Sequence, residues 1–285
     1  MTRHNLCLAG LAATLCTLFL GGYMVAAPPA GGYHLLKTIP LGAAESGGEY
    51  FDYITVDAAA RRAYLSHGTE IIVLNADSGA VLGKITGFRR DHGVALVPEL
   101  DRGFISDGSS GQTVIFDLKT LKKIGQVKAE EDADSIIYDP ASKHIFVFNG
   151  RPGSATVIDP AKGTVLATVP LGGAPEQAVA DGKGTIFNNL EDKNEVIAID
   201  SRMLKIKARW PVAPAGQPVS IAVDRKQRRL FIAGRNPKLL VTRRWGSTQK
   251  LTTCWSIQRT LIRLGRPPLS SPIRNARQSP GRSIC

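Results

Sequence analysis

The sequence predicts an all-β fold, a β-propeller of four-stranded antiparallel blades with about five blades present. Segments of about 42 residues repeat between residues 33 and 241. Within each repeat the apolar runs are short, β-branched or aromatic, and separated by turn clusters such as "NADSG" at 75–79 and "DPAKG" at 159–163, which is strand and hairpin grammar. Four such strands in ~42 residues is the period of a propeller blade.

Three rulers keep the same time. The turn after the first strand of each unit starts at Asp57, Pro98, Asp139, Asp181 and Asp224, spaced 41, 41, 42 and 43 residues apart. An aromatic marks each second strand: Tyr64, Phe104, Phe146, Phe187 and Phe231. Asn75, Asp117, Asp159 and Asp200 end the third strands at spacings of 42, 42 and 41.

At the N-terminus, residues 1–27 read as a secretory signal peptide: Arg3, an apolar core from Leu6 to Leu20, then small residues at Ala26 and Ala27. A retained anchor is the alternative, and no membrane span is expected once the signal is removed. "LLKTIPLG", Leu35 to Gly42, matches the fourth strand "LATVPLG", Leu166 to Gly172. A fourth strand ahead of the first full blade is expected to close the ring by completing the last one.

In an up-and-down blade, the loops entering strand one and those joining strands two and three share a face. The opposite face receives the tight hairpin turns, whose Asp, Asn, Gly and Pro are explained by turn geometry. The long-loop face holds Glu49, Asp52, His67, Asp91, His92, Asp134, Asn149, Arg151, Glu176, Asn188 and Glu191 as candidate ligand-binding residues. Convergence of these at the channel mouth would suit a divalent cation, or a general base acting on an activated ester.

The units "YITVDAAARRAYLSHGTEIIVLNADSGAVLGKI" and "IIYDPASKHIFVFNGRPGSATVIDPAKGTVLATV" carry a repeated pattern: an acid after the first strand, an aromatic in the second, and Asp or Asn then Gly after the third. This pattern resembles the YVTN-type, YncE-like β-propeller repeat proteins over residues 33 to 241. The resemblance implies export to the periplasm or medium and a ring of seven blades. It leaves the activity open, because the blade is shared with cofactor-binding and lactone-hydrolysing propellers. Two functions follow: a binding or scaffold module holding a small ligand or protein, and a metal-assisted, lactonase-like hydrolase using Glu49, Asp52, His67, His92, Glu176 and Glu191.

Composition narrows the partners. The net charge of +12 resides mostly in residues 242–285, where eight arginines and one lysine stand without an acid. The repeats are nearly balanced, so nucleic acid is an unfavoured partner. Residues 28–241 lack cysteine and contain a single tryptophan, Trp210, which leaves no thiolate metal site and no stacking platform for a quinone or haem. No organic cofactor is expected.

After Val241 the period, the acids and the turn grammar stop together, and "TRRWGSTQK" begins. A basic extension, a divergent blade and a shifted reading frame compete here. The abrupt composition change favours the frame shift, with 242–285 outside the propeller and the ring an incomplete, open arc.

Overall fold

The computed structural model describes residues 35–43 and 50–246, and the backbone of residues 252–256. The chain divides into two compact units, Met1–Leu41 and Gly42–Cys285. In the first, residues 35–41 form no regular secondary structure. The described residues of the second are all-β, with one short 3₁₀ turn at Pro98–Leu100.

Among the described residues twenty strands form five antiparallel four-stranded sheets. Blade one is β1 (Phe51–Asp57), β2 (Arg62–His67), β3 (Glu70–Asn75) and β4 (Val81–Thr86). Blade two is β5 (Asp91–Val97), β6 (Arg102–Asp107), β7 (Gln112–Asp117) and β8 (Lys123–Lys128). Blade three is β9 (Ala133–Asp139), β10 (His144–Asn149), β11 (Ser154–Asp159) and β12 (Thr164–Pro170). Blade four is β13 (Pro175–Ala180), β14 (Thr185–Leu190), β15 (Glu195–Asp200) and β16 (Lys205–Pro211). Blade five is β17 (Pro218–Asp224), β18 (Arg229–Gly234), β19 (Leu239–Arg244) and β20 (Thr252–Ser256). Each strand pairs with its neighbour in sequence, so every blade is a meander.

The three sequence rulers have physical causes. Asn75, Asp117, Asp159 and Asp200 each accept two backbone N–H bonds from residues two and three further on, closing the turn between third and fourth strands. These bonds hold the carboxyls of Asp117, Asp159 and Asp200 below the usual range. Asp57, Asp139, Asp181 and Asp224 accept similar bonds after the first strands. The aromatics Tyr64, Phe104, Phe146 and Phe187 are fully buried and pack on the next blade's aliphatics. Phe187, for example, meets Ile221, Leu230, Ile232 and Val241 of blade five. The core is therefore a series of inter-blade layers, and burying such side chains is the main favourable term.

Packing of inner strands runs in series, β1 on β5, β5 on β9, β9 on β13 and β13 on β17. Among the described elements no comparable packing joins β17 to β1.

Two features differ from what the sequence predicts. The third strand of blade five does not stop at Val241 but runs to Arg244, and Thr252–Ser256, inside the basic segment, pairs antiparallel with it from Leu239↔Ser256 to Thr242↔Thr252. A backbone ladder requires no acid or glycine period, so composition concealed this fourth strand. Leu35–Gly42, expected in that place, forms no strand, and Leu35 and Leu36 are exposed. The signal segment 1–27 lies outside the described residues, among which no helix is long and apolar enough to cross a membrane.

Candidate functional site at the inner strands

Counting back three residues from the partner of the recurring aromatic gives one position per blade. Thr55, Ala95, Ile137, Val179 and Ala222 pair with Tyr64, Phe104, Phe146, Phe187 and Phe231. The position three before them is Asp52, His92, Asp134, Glu176 and Val219. In all five blades the register slips here, between Phe51 and Ile54, Asp91 and Val94, Asn149 and Val147, Pro175 and Ala178, and Pro218 and Ser220. A bulge re-aims the side chain it carries. The N–H groups freed from the ladder are taken up locally: Asp52 N–H donates to Ser66 Oγ (2.9 Å) and Gly93 N–H to Ser106 Oγ (3.0 Å).

These positions bring Asp52, His92 and Asp134 together, with one ligating atom from each lying within 4.8 Å of the others. His92 Nδ1 is 2.6 Å from Asp52 Oδ2 and 3.2 Å from Asp134 Oδ1. The Tyr50 hydroxyl donates to the same Asp52 oxygen at 2.8 Å, and the Arg90 guanidinium lies over the Tyr50 ring, 5.2 Å from its centroid. His92 is buried, and its Nε2 has no hydrogen-bond partner among the described residues.

The electrostatics are those of crowded, partly desolvated acids. Burial pushes the Asp134 carboxyl up to about 7, with the Asp52 charge adding to it and His92 opposing. Glu176 is pushed up to about 8 by burial, a hydrogen bond with Glu191 and the charge of Asp134. Burial disfavours charged His92, but its bond to Asp52 and the fields of Asp134 and Asp52 outweigh this and raise it. Burial, then the bond to Asp52, lifts Tyr50 to about 12. Tyr53, whose phenol is raised by burial, feels Asp134, Asp52 and Glu176 together. A cation placed among Asp52, Asp134 and Glu176 would supply the counter-charge that burial denies their ionised forms.

The remaining candidates divide. Glu191 adjoins Glu176 and pairs with Arg235 of blade five. Asn188 is buried and donates to the carbonyls of Glu176 (2.6 Å) and Gln177 (3.4 Å), bracing the strand that carries Glu176. His67 does not join the cluster. Its ring is buried, stacks on Phe51 at 4.3 Å and meets Glu70 at 3.3 Å, and Lys84 pairs with that same carboxylate. Asp91 is buried, accepts from His67 N–H (3.2 Å) and is lifted by burial to about 6. Asn149 bonds Ser154 and Thr156 within its own blade, and Arg151 forms an exposed pair with Glu131. Glu49 lies outside the described residues.

Sequence reasoning missed Tyr50, Tyr53, Arg90 and Arg235. Register counted from the aromatic would have isolated Asp52, His92, Asp134 and Glu176 from the loop residues, whereas nothing in the spacing marks the two arginines. Two shallow concavities, about 300 and 430 Å³, lie elsewhere, against Tyr138 and His144 and against Asp107 and Lys123; neither contains the cluster.

The fold and site define a β-propeller with an acidic, histidine-containing cluster on its inner strands. No family model matches the chain, and no curated protein matches it in sequence. Among solved structures it is similar to Kuenenia stuttgartiensis hydrazine synthase, with a TM-score of 0.65 at 12% identity, covering 78% of this chain and 69% of that one. It is also similar to the Myceliophteria thermophila Cps50 (Swd1) β-propeller domain, with a TM-score of 0.60 at 10% identity, covering 73% and 72%. At such identities the likeness shows the propeller fold.

Proposed function

We propose that this chain is an exported binding propeller of the YVTN type that holds its ligand through a divalent cation on the inner strands. One observation carries the reading: three successive blades place Asp52, His92 and Asp134 at one register position, within 4.8 Å of one another. One imidazole and two carboxylates suit Zn²⁺ or Mn²⁺ better than Ca²⁺, which prefers a fuller oxygen shell. Glu176 stands at the same position of the next blade, where its charge is felt by Tyr53. Export rests on residues 1–27, with Arg3 ahead of the apolar run.

Thermal unfolding of the full chain with and without Mn²⁺, Zn²⁺ and Ca²⁺ tests this. Mn²⁺ or Zn²⁺ should raise the unfolding temperature of the parent and leave Asp52→Asn unchanged; equal shifts in both would refute the assignment.

A second reading, metal-assisted hydrolysis of an ester or lactone, is favoured by Glu176, which burial keeps protonated near neutral pH and so able to donate to a leaving group. Hydrolysis of aryl esters by the cation-loaded protein, lost in Glu176→Gln while cation binding persists, would establish it. Absence of turnover above the buffer rate would leave binding alone.

A further inference from the structure

Each inter-blade interface uses the same few register positions. The residue two beyond the site position packs under the preceding blade's aromatic: Val94, Ile136, Ala178 and Ile221 are 4, 6, 4 and 4% exposed. Their equivalent in blade one, Ile54, is 64% exposed, and Val56 on the same face is 60% exposed. Conversely Phe231, the fifth aromatic, is only half-buried, with Ala222 beside it exposed. Among the described residues, one face of blade one and one face of blade five therefore present the two unmatched halves of an interface that this chain builds four times internally. Farther out on the blade-one face, Ile72 and Leu74 are already buried, so the available apolar surface is its inner half.

The polar contacts repeat too. Ala178 N–H donates to Ser135 Oγ across one blade boundary (3.3 Å), and Ile221 N–H to Gln177 Oε1 across the next (3.0 Å). Ser220, exposed, occupies that acceptor position in blade five, and Ile54 the donor position in blade one. Arg62 donates to the Leu118 carbonyl of blade two, and Arg102 to the Pro160 and Ala161 carbonyls of blade three (both 2.7 Å). Arg229, exposed, is their equivalent, and Ala76 is the carbonyl that matches Leu118 and Pro160.

We infer that the open face of blade five docks on the open face of blade one of a second copy, head to tail, with Phe231 over Ile54 and Val56, Ser220 accepting from Ile54 N–H, and Arg229 reaching the Ala76 carbonyl. Such a contact is heterologous, so it joins copies in series rather than in a two-fold pair. Complementarity at aliphatic, hydroxyl and guanidinium positions together selects this partner over an unrelated apolar surface.

Sedimentation velocity of the full chain over a wide concentration range tests it. The parent should associate with concentration, and Ile54→Asp or Phe231→Asp should each weaken association by about tenfold or more. Because each variant keeps the other face intact, mixing the two should form a mixed dimer that neither forms alone. Val56→Asp and Ala222→Arg, both at exposed positions, serve if either substitution impairs folding as judged by circular dichroism. A parent that stays monomeric, variants that associate like the parent, or a mixture that stays monomeric would each overturn the inference, the last two outcomes assigning association to another surface.

Discussion

Replacing Asp134 by Asn keeps the shape of the cluster and removes the carboxyl that burial and Asp52 lift from 3.8 to about 7. A carboxyl raised on folding stabilises the native state fully below its unfolded value, and that contribution is lost as pH rises through the folded value. Without a cation, the parent should thus lose stability between about pH 4 and pH 8 as Asp134, then Glu176, is forced to ionise. A tenfold difference in proton affinity between folded and unfolded chains is worth about 1.4 kcal/mol. The rise of Asp134 to about 7, discounted for its partial solvent access, therefore amounts to about 2–4 kcal/mol. The asparagine variant does not incur this loss and also relieves Glu176. Urea unfolding in EDTA at pH 5 and pH 9 measures the part of this window above pH 5: Asp134→Asn should gain about 1–3 kcal/mol on the parent between the two pH values. A difference independent of pH would refute the argument that burial, helped by the neighbouring charges, holds the Asp134 carboxyl above its ordinary range.

Three further outcomes follow from the same structure. Cation affinity should fall at least tenfold from pH 8 to pH 6, with proton release on binding, since Asp134, Glu176 and His92 are all raised and a bound ion needs its ligands deprotonated; calorimetry in buffers of different ionisation enthalpy checks this. Phe187→Ala should cost about 3–5 kcal/mol in chemical denaturation, because the ring is fully buried between blades four and five and lies 5.0 Å from Trp245. Asp159→Ala should cost about 1 kcal/mol through loss of its bonds from Ala161 and Lys162 N–H, and leave cation binding unchanged.

Much of the fold could be read from the residues because its recurring features are local. An Asp that closes a turn through its own Oδ1, and an aromatic that must fill the gap to the next blade, leave marks at fixed spacing whatever the surrounding sequence. Thr252–Ser256 left no such mark, since its place in blade five is defined by pairing with β19. The site was half visible. Asp52, His92, Asp134 and Glu176 were among the candidates, but so was His67, and an imidazole in a loop-edge "SHG" gives no sign that it will stack on Phe51 and face a buried Glu70. What separates them is the bulge, a two-strand property that appears only when the register of β1 on β2 is known. Tyr50 and Arg90 were hidden for a related reason: Tyr50 acts through Asp52, and Arg90 through Tyr50, rather than through a spacing of their own.

Calorimetric titration of the full chain with Mn²⁺ at pH 8, in parallel with His92→Ala and Arg151→Ala, asks whether the inner-strand position or the wider loop face holds the ion. A single ion per chain, lost in His92→Ala and retained in Arg151→Ala, is the expected result; no binding by the parent, or binding indifferent to His92→Ala, would contradict the site.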